Sequence, residues 1–367
     1  AIPNTSVSTP LRLCQFVRKM PTLPSNSQTL KWSTPAQLDV DPAALDIAFD
    51  EAARFEPLQS LQITRHGFLI AEYKADGIQE DHVINVHSIS KSILSLLTGI
   101  AMHECWLTNL DQPIAEWFPE YFDAQTDARK LAITIRHLLT MSAGLGWIEN
   151  TPGIHRWQHS ADWARYAIDL PVVAVPGRQF SYNTSLTHLL SIILARASGM
   201  NTRQLAERYL FEPAGIELDD WSVDPQGNAI GGTDIFLRPH NLLKIGHLLL
   251  NRGTLHKREI VSPAWLSEST QSHITLKQPG FWHPAYKDYG YLWWLRKMQS
   301  YDTVVASGYA GQLLFVVRRL GLVVAATADD SIPFSAVMKQ SNHIEDLVED
   351  FIIPAVKEDT RHGVIEP

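Results

Sequence analysis

The stretch Asn85–Ile100 reads NVHSISKSILSLLTGI, and the rest of the chain is organised around it. A short apolar run (Val83, Ile84, Val86) leads into Ser88, and a strongly apolar helical pattern follows. Ser88 and Lys91 are three residues apart, a spacing that puts both side chains on one helix face. Ser88 falls at the helix start, where unpaired N–H groups and the positive dipole end favour developing negative charge. Ser88, Ser92, Ser95 and Gly99 recur at helical spacing, so this face can press closely on another element. Ile89, Ile93, Leu96, Leu97 and Ile100 make the helix apolar nearly all round, which argues for burial. A lysine in the first turn of a buried helix needs a reason, and activating the serine is one. The competing reading makes Ser88 an N-cap and Lys91 a solvated residue. Ser-x-x-Lys alone does not decide between them, because it arises by chance about once in a chain of this length.

Composition narrows the function classes. A chain of 367 residues is long enough for two packed units, one of which can be inserted in the other. Apolar content of 45% with 19% charged residues is ordinary for a soluble globular enzyme. The net charge of −8 and the absence of any Lys/Arg run speak against nucleic acid or an anionic membrane as partner. No apolar run approaches a bilayer span. Two cysteines, Cys14 and Cys105, exclude a disulfide framework and a zinc ribbon; a single bridge between them stays open. The chain starts at Ala1 with no signal-peptide pattern, so compartment stays open, and no motif speaks to oligomeric state.

Along the chain, residues 1–38 are rich in Pro, Ser and Thr and read as an extended surface arm. Asp41-Pro42 predicts a cap and a helix to about Arg54. LQITRHGFLIAEYKADG predicts a hairpin turning at His66-Gly67. After the Ser88 helix the pattern is helical for nearly two hundred residues, with helices after Thr134, over Ala161–Leu170, from Ser185 to Gly199, after Pro239 and after Ser262-Pro263. From Lys287 it switches back to strands: YGYLWWL, YDTVVAS, QLLFVV and GLVVAATA, then an amphipathic helix over Ala336–Phe351. The expected fold class is α/β (α+β), an antiparallel sheet built from both ends of the chain and flanked by the N- and C-terminal helices. The sheet domain takes 39–86 plus 287–367, and a mostly helical domain, 87–286, is inserted, with the active site at the interface.

Two further stretches can complete Ser88. In PGRQFSYNTSLTHLL, Tyr182 falls just before a helix, where a phenol can pass a proton between the serine oxygen and a leaving group. In VVASGYAGQ, Gly308 permits close backbone approach, and an N–H of what reads as an edge strand can pair with that of Ser88 as an oxyanion hole. The ordered set of Ser88-x-x-Lys91, Tyr182-Asn183-Thr184 and a Gly308-containing strand resembles the serine β-lactamase and penicillin-binding-protein superfamily. TIRHLLTMSAGL, PGRQFSYN, GGTDIFLRPHNLLKIGHLLLNRG and YGYLWW resemble its class C-like branch, which includes esterases and 6-aminohexanoate-dimer hydrolases.

The resemblance implies a serine β-lactamase/transpeptidase-like fold and a serine hydrolase that cleaves amide or ester bonds of a small molecule through an acyl-enzyme, without cofactor or metal. Ser88 is then the nucleophile, Lys91 in its neutral form the general base, and Tyr182 the proton shuttle. The backbone N–H groups of Ser88 and Tyr309 form the oxyanion hole, Tyr309 following Ala306-Ser307-Gly308, which aligns with the family's Lys-Thr-Gly. Two departures matter. Ala306 stands where β-lactamases carry a Lys for the β-lactam carboxylate, and Thr184 stands where Tyr-x-Asn would put Asn. Both favour neutral or differently charged amides and esters over the alternative, a class C-type β-lactamase or DD-peptidase. A non-catalytic penicillin-recognition sensor is the second alternative, and joint retention of Ser88, Lys91 and Tyr182 speaks against it. Thr184, Gly308 and Trp294 are expected at the substrate pocket.

Other signals are weaker. His155 and His159 have helical metal-ligand spacing but lack a third ligand. No Gly-x-Ser-x-Gly, Walker loop or dinucleotide fingerprint occurs. His87 is expected to be structural, since neighbouring residues face different ways. Trp147, Trp157, Trp163, Trp282 and Trp293 are expected mainly to pack, and Trp294 to wall the pocket.

Overall fold

The computed structural model describes residues 30–79, 81–147, 149, 152–277 and 284–358. Most of the expected N-terminal arm, Cys14 and Trp282 lie outside the described residues. Asp41 caps the helix Pro42–Arg54, its Oδ1 accepting from Ala43 N at 3.0 Å and Ala44 N at 3.4 Å. Strands β1 (Leu58–Arg65) and β2 (Phe68–Lys74) pair antiparallel through His66 and Gly67, both at positive φ, as a tight two-residue turn requires.

Between the hairpin and the C-terminal strands the chain is mainly helical, with short strands that sequence periodicity does not reveal. β3 (Ile84–Asn85), β4 (Asp220–Trp221) and β5 (Ile235–Leu237) form a three-stranded sheet in the order β3-β5-β4. β6 (Thr254–Leu255) and β7 (Arg258–Glu259) form a separate hairpin. Strands of two or three residues are too short to show alternation. The small sheet has a positional consequence: it ties the approach to Ser88 to the chain around Gly232, with Val86 N donating to Ile235 O at 2.9 Å.

The main sheet adds β8 (Ile274–Thr275), β9 (Asp288–Tyr289), β10 (Trp294–Met298), β11 (Tyr301–Ser307), β12 (Leu313–Val317) and β13 (Leu322–Ala328). Its order is β2-β1-β13-β12-β11-β10-β9-β8, with every neighbouring pair antiparallel. Both ends of the chain therefore meet at β1 and β13. β12 and β13 are buried at every position, as strands covered on both faces must be. On one face the helix His240–Leu250 presses so closely that a Cβ on Gly246 would lie 2.3 Å from Val323. The expectation that the strand entering Gly308 is an edge strand is corrected: β11 lies between β10 and β12. Its pairing with β10 stops at Val305, so only Ala306 and Ser307 extend beyond that neighbour.

The helix Ile89–His103 is buried from Ile89 to Ala101. Its small residues do what their spacing implies. A Cβ on Gly99 would lie 2.2 Å from Trp265, Ser95 O accepts from Trp265 Nε1 at 2.9 Å, and Ser92 Oγ donates to Leu292 O at 2.8 Å.

Candidate active site

Ser88 precedes the first turn of the Ile89–His103 helix at φ −71°, ψ −4°, and its hydroxyl makes no capping bond. The turn before it is set by His87 at φ 47°, whose N–H donates to Asn85 Oδ1 at 2.8 Å. Ser88 Oγ instead accepts from Lys91 Nζ at 2.8 Å. Lys91 is 1% exposed, so the reading as a solvated first-turn residue fails. Its second acceptor is Gly232 O at 2.7 Å. Burial lowers the Lys91 pKa from 10.5 to about 8, against the opposing pull of the Glu149 and Asp234 carboxylates.

Tyr182 stands two residues before the helix Thr184–Ser198, which Asn183 caps through Ser185 N at 2.9 Å. The Tyr182 ring centroid is 4.9 Å from Lys91 Nζ, and the ring stacks on Trp294 with centroids 5.6 Å apart. Burial pushes the Tyr182 phenol well above its ordinary value, opposed by its hydrogen bond with Ser88. It stays protonated at neutral pH.

Gly308 follows β11 and lies against the chain that leads to Ser88; a Cβ there would lie 2.5 Å from Val86 O. Only glycine lets the two segments approach. Among the described residues, neither Ser88 N–H nor Tyr309 N–H donates to any group. Thr184 N and Oγ1 both donate to Glu149, at 3.0 and 2.6 Å, and Trp147 Nε1 donates to the same carboxylate at 2.6 Å. Thr184 therefore anchors an acid beside the serine.

These groups open on a cleft of about 360 Å³ lined by Ser88, Tyr182, Thr184, Trp294, Gly308 and Tyr309, with Lys91 beneath Ser88. Every site residue expected from the sequence is thus brought to one place. Sequence reasoning missed Gly232, Glu149, Asp234 and a stripe of the Phe334–Leu347 helix (Met338, Asn342, Glu345) that walls the same cleft. The Gly231-Gly232 pair was a usable signal; the lone acids gave none. His87 lines the cleft but its ring pairs with Asp330 at 2.8 Å. Glu345 binds Arg296, and burial raises its pKa to about 7.

A more open depression of about 410 Å³ around Asp162, Arg165 and Tyr166 contains no serine–lysine pair. Trp147, Trp157 and Trp163 form a cluster away from Trp294, and Trp293 is buried. His159 bonds to the His155 carbonyl at 2.7 Å, and no group of three or more metal-ligating side chains is found among the described residues. No helix among them is long and apolar enough to cross a membrane.

The fold and this cleft define a β-lactamase-like protein. Residues 60–344 match the model of the Beta-lactamase family, and the chain belongs to that family. It is 26% identical over 200 residues to Esterase EstB of Burkholderia gladioli, covering 47% of this chain and 50% of the esterase. It is 28% identical over 168 residues to Acyltransferase calJ of Penicillium decumbens, covering 39% of this chain and 38% of that protein. The chain thus spans half or less of the length of the curated relatives it matches. Among solved structures, EstCE1, a hydrolase with promiscuous acyltransferase activity, superposes with a TM-score of 0.67 at 19% identity, covering 84% of this chain and 97% of that one. A Bacillus anthracis protein with the provisional name 6-aminohexanoate-dimer hydrolase also gives 0.67, at 15% identity over 89% of this chain and 87% of that one. These likenesses are of fold.

Proposed function

We propose that the protein is a serine hydrolase that cleaves amide or ester bonds through an acyl-enzyme on Ser88. The observation that carries this reading is the buried Lys91 amine, 2.8 Å from Ser88 Oγ on the floor of the cleft. With its pKa near 8, about half of Lys91 is neutral at pH 8 and free to accept the Ser88 proton. Ser88 Oγ then attacks the carbonyl carbon, and the oxyanion is received by the Ser88 and Tyr309 N–H groups, which have no other described acceptor. The Tyr182 phenol protonates the leaving group and is reprotonated from the Lys91 ammonium. Water attacks the acyl carbon, its proton returns through the same pair, and the C–O bond to Ser88 breaks.

Substrate choice follows from charge. Glu149 and Asp234 line the cleft, and Ala306 supplies no cation where β-lactamases carry one. A neutral ester, or a linear amide that presents an ammonium as the 6-aminohexanoate dimer does, suits this lining better than a β-lactam whose one charge is a carboxylate. The names of the esterase relative and of the structural neighbours support the same class.

The test is a rate panel on wild type and Ser88→Ala with a short-chain p-nitrophenyl ester, a chromogenic cephalosporin and a linear 6-aminohexanoate dimer, with intact-mass detection of an adduct. Ester or amide turnover lost in the variant, with little cephalosporin hydrolysis, is expected. Fast cephalosporin turnover would instead favour the β-lactamase alternative. No turnover and no adduct would overturn the enzyme reading.

A further inference from the structure

Residues 229–232 run along the Thr184–Ser198 helix and pass under Lys91. Each carbonyl in this segment accepts from a different side chain. Ala229 O takes Ser191 Oγ at 2.8 Å, Ile230 O takes Trp221 Nε1 at 2.8 Å, Gly231 O takes Thr187 Oγ1 at 3.3 Å, and Gly232 O takes Lys91 Nζ at 2.7 Å. The approach needs both glycines. A Cβ on Gly231 would lie 2.0 Å from Thr187 O, and one on Gly232, at φ +98°, would lie 2.3 Å from Thr187 Oγ1.

The Gly231 amide is held by a histidine. Gly231 N–H donates to His188 Nδ1 at 3.4 Å, and His188 Nε2 meets Asp224 Oδ2 at 3.0 Å. Together the two bonds select one tautomer: Nε2 carries the proton given to Asp224, and Nδ1 keeps the lone pair that receives Gly231. The His188 and Asp224 side chains are 0% and 1% exposed, and the ring is boxed by Trp157 and Trp163 at 5.7 and 5.3 Å. Asp224 also accepts from Gln226 N, Asn228 N and Asn228 Nδ2, so the acid is fixed in its own turn. Burying such a pair is costly unless it is fully hydrogen-bonded, and an apolar pair would fill the same space more cheaply. Neither residue lines the cleft.

We propose that the buried His188–Asp224 pair is a positioning device for Lys91, fixing the Gly231–Gly232 backbone whose carbonyl holds the amine against Ser88. This rests on the reading of Lys91 as the general base. The pair acts through two backbone units and touches neither substrate nor Ser88. When the Nδ1 acceptor for the Gly231 amide is lost, the Gly232 carbonyl drifts, water reaches the amine, and Lys91 spends more of its time protonated at neutral pH. The other groups facing Lys91 are the Glu149 and Asp234 carboxylates, the Ser88 hydroxyl and the Tyr182 ring. None of these is altered in the His188 and Thr187 variants.

Two substitutions in the full chain separate the halves of the pair. In His188→Asn the Oδ1 takes the place of Nδ1, which keeps the acceptor for Gly231 and loses Asp224. In His188→Gln the Nε2 takes the place of the ring Nε2, which keeps Asp224 and loses the acceptor. The readouts are kcat and KM for a p-nitrophenyl ester from pH 6 to 10, with the urea midpoint measured alongside. His188→Gln is expected to lower kcat at pH 7 by about 10- to 100-fold with KM within about twofold, and to move the acid limb of the profile to higher pH. His188→Asn is expected to keep the limb in place and kcat within about fivefold, whatever its urea midpoint. Thr187→Val, which removes the hydroxyl shared between Thr184 O at 2.8 Å and Gly231 O at 3.3 Å, is expected to move the limb in the same direction and serves where His188→Gln does not fold. Acid limbs that coincide in all of these, with kcat following the urea midpoint, would overturn the proposal and leave the pair a structural staple. Full turnover by Ser88→Ala would strike the acyl-enzyme reading instead.

Discussion

Replacing Lys91 by Met should destroy turnover and, at neutral pH, make the protein more stable. The drop in pKa from 10.5 to about 8 on folding corresponds to about 3 kcal/mol of stability forgone wherever Lys91 is charged in both states. The sign follows from proton binding. Between pH 8 and 10.5 the unfolded chain holds the Lys91 proton more tightly than the native one, so wild-type stability rises with pH across that window. Below pH 8 the penalty is complete, and above 10.5 it is gone. Lys91→Met removes the penalty but leaves Ser88 Oγ and Gly232 O without their donor, which costs about 1 kcal/mol each. The variant is therefore expected to be about 1 kcal/mol more stable than wild type at pH 7. That advantage should shrink by about 2 kcal/mol on going to pH 9.5, leaving wild type the more stable. Urea unfolding of both proteins at the two pH values gives the double difference, in which groups common to both proteins cancel. A stability gap that does not change with pH would refute the claim that burial depresses Lys91, and with it the supply of a neutral base near pH 8.

The pH–rate profile of wild type should have an acid limb near pH 8, falling about tenfold per pH unit below it as Lys91 protonates. Glu149→Gln removes a charge that favours the ammonium, so the limb should move to lower pH; movement the other way would show that the Glu149 hold on Thr184 outweighs its field. Gly308→Ala places a methyl 2.5 Å from Val86 O and 3.0 Å from Gln312 Cβ. It should cost about 2 kcal/mol by denaturant titration and at least about tenfold in kcat, because the displaced backbone carries the Tyr309 N–H.

What could be read from the sequence was what is local or periodic. Ser88 and Lys91 are joined by helical spacing, Tyr182 by its place before a capped helix, and the His66-Gly67 hairpin by its turn residues. Thr184 was expected to meet substrate, and it does line the cleft, yet its hydroxyl and N–H are committed to Glu149. Gly308 was expected to allow close approach, and the partner proves to be the Val86 carbonyl. The position of β11 could not be read, because strand order is set by pairings between distant segments and not by the apolar run of one strand. The same holds for Gly232 and His188, whose contacts with Lys91 and Asp224 cross 141 and 36 residues of chain.

The meeting of β1 with β13 also dictates when the site can exist during synthesis. Ser60 and Thr327, hydrogen-bonded at 2.7 Å, are separated by 267 residues, and among the described residues the hairpin β1–β2 pairs with no long strand other than β13. A two-stranded hairpin is marginal in water by itself, and such distant closure is slow. Ser88 therefore leaves the ribosome long before the strands that aim Tyr309 at it have been made. A nascent chain ending before Leu322 should carry the whole Ser88–Tyr182 sequence and still fail to react with a fluorophosphonate, so acylation of Ser88 reports completion of the sheet as well as chemistry.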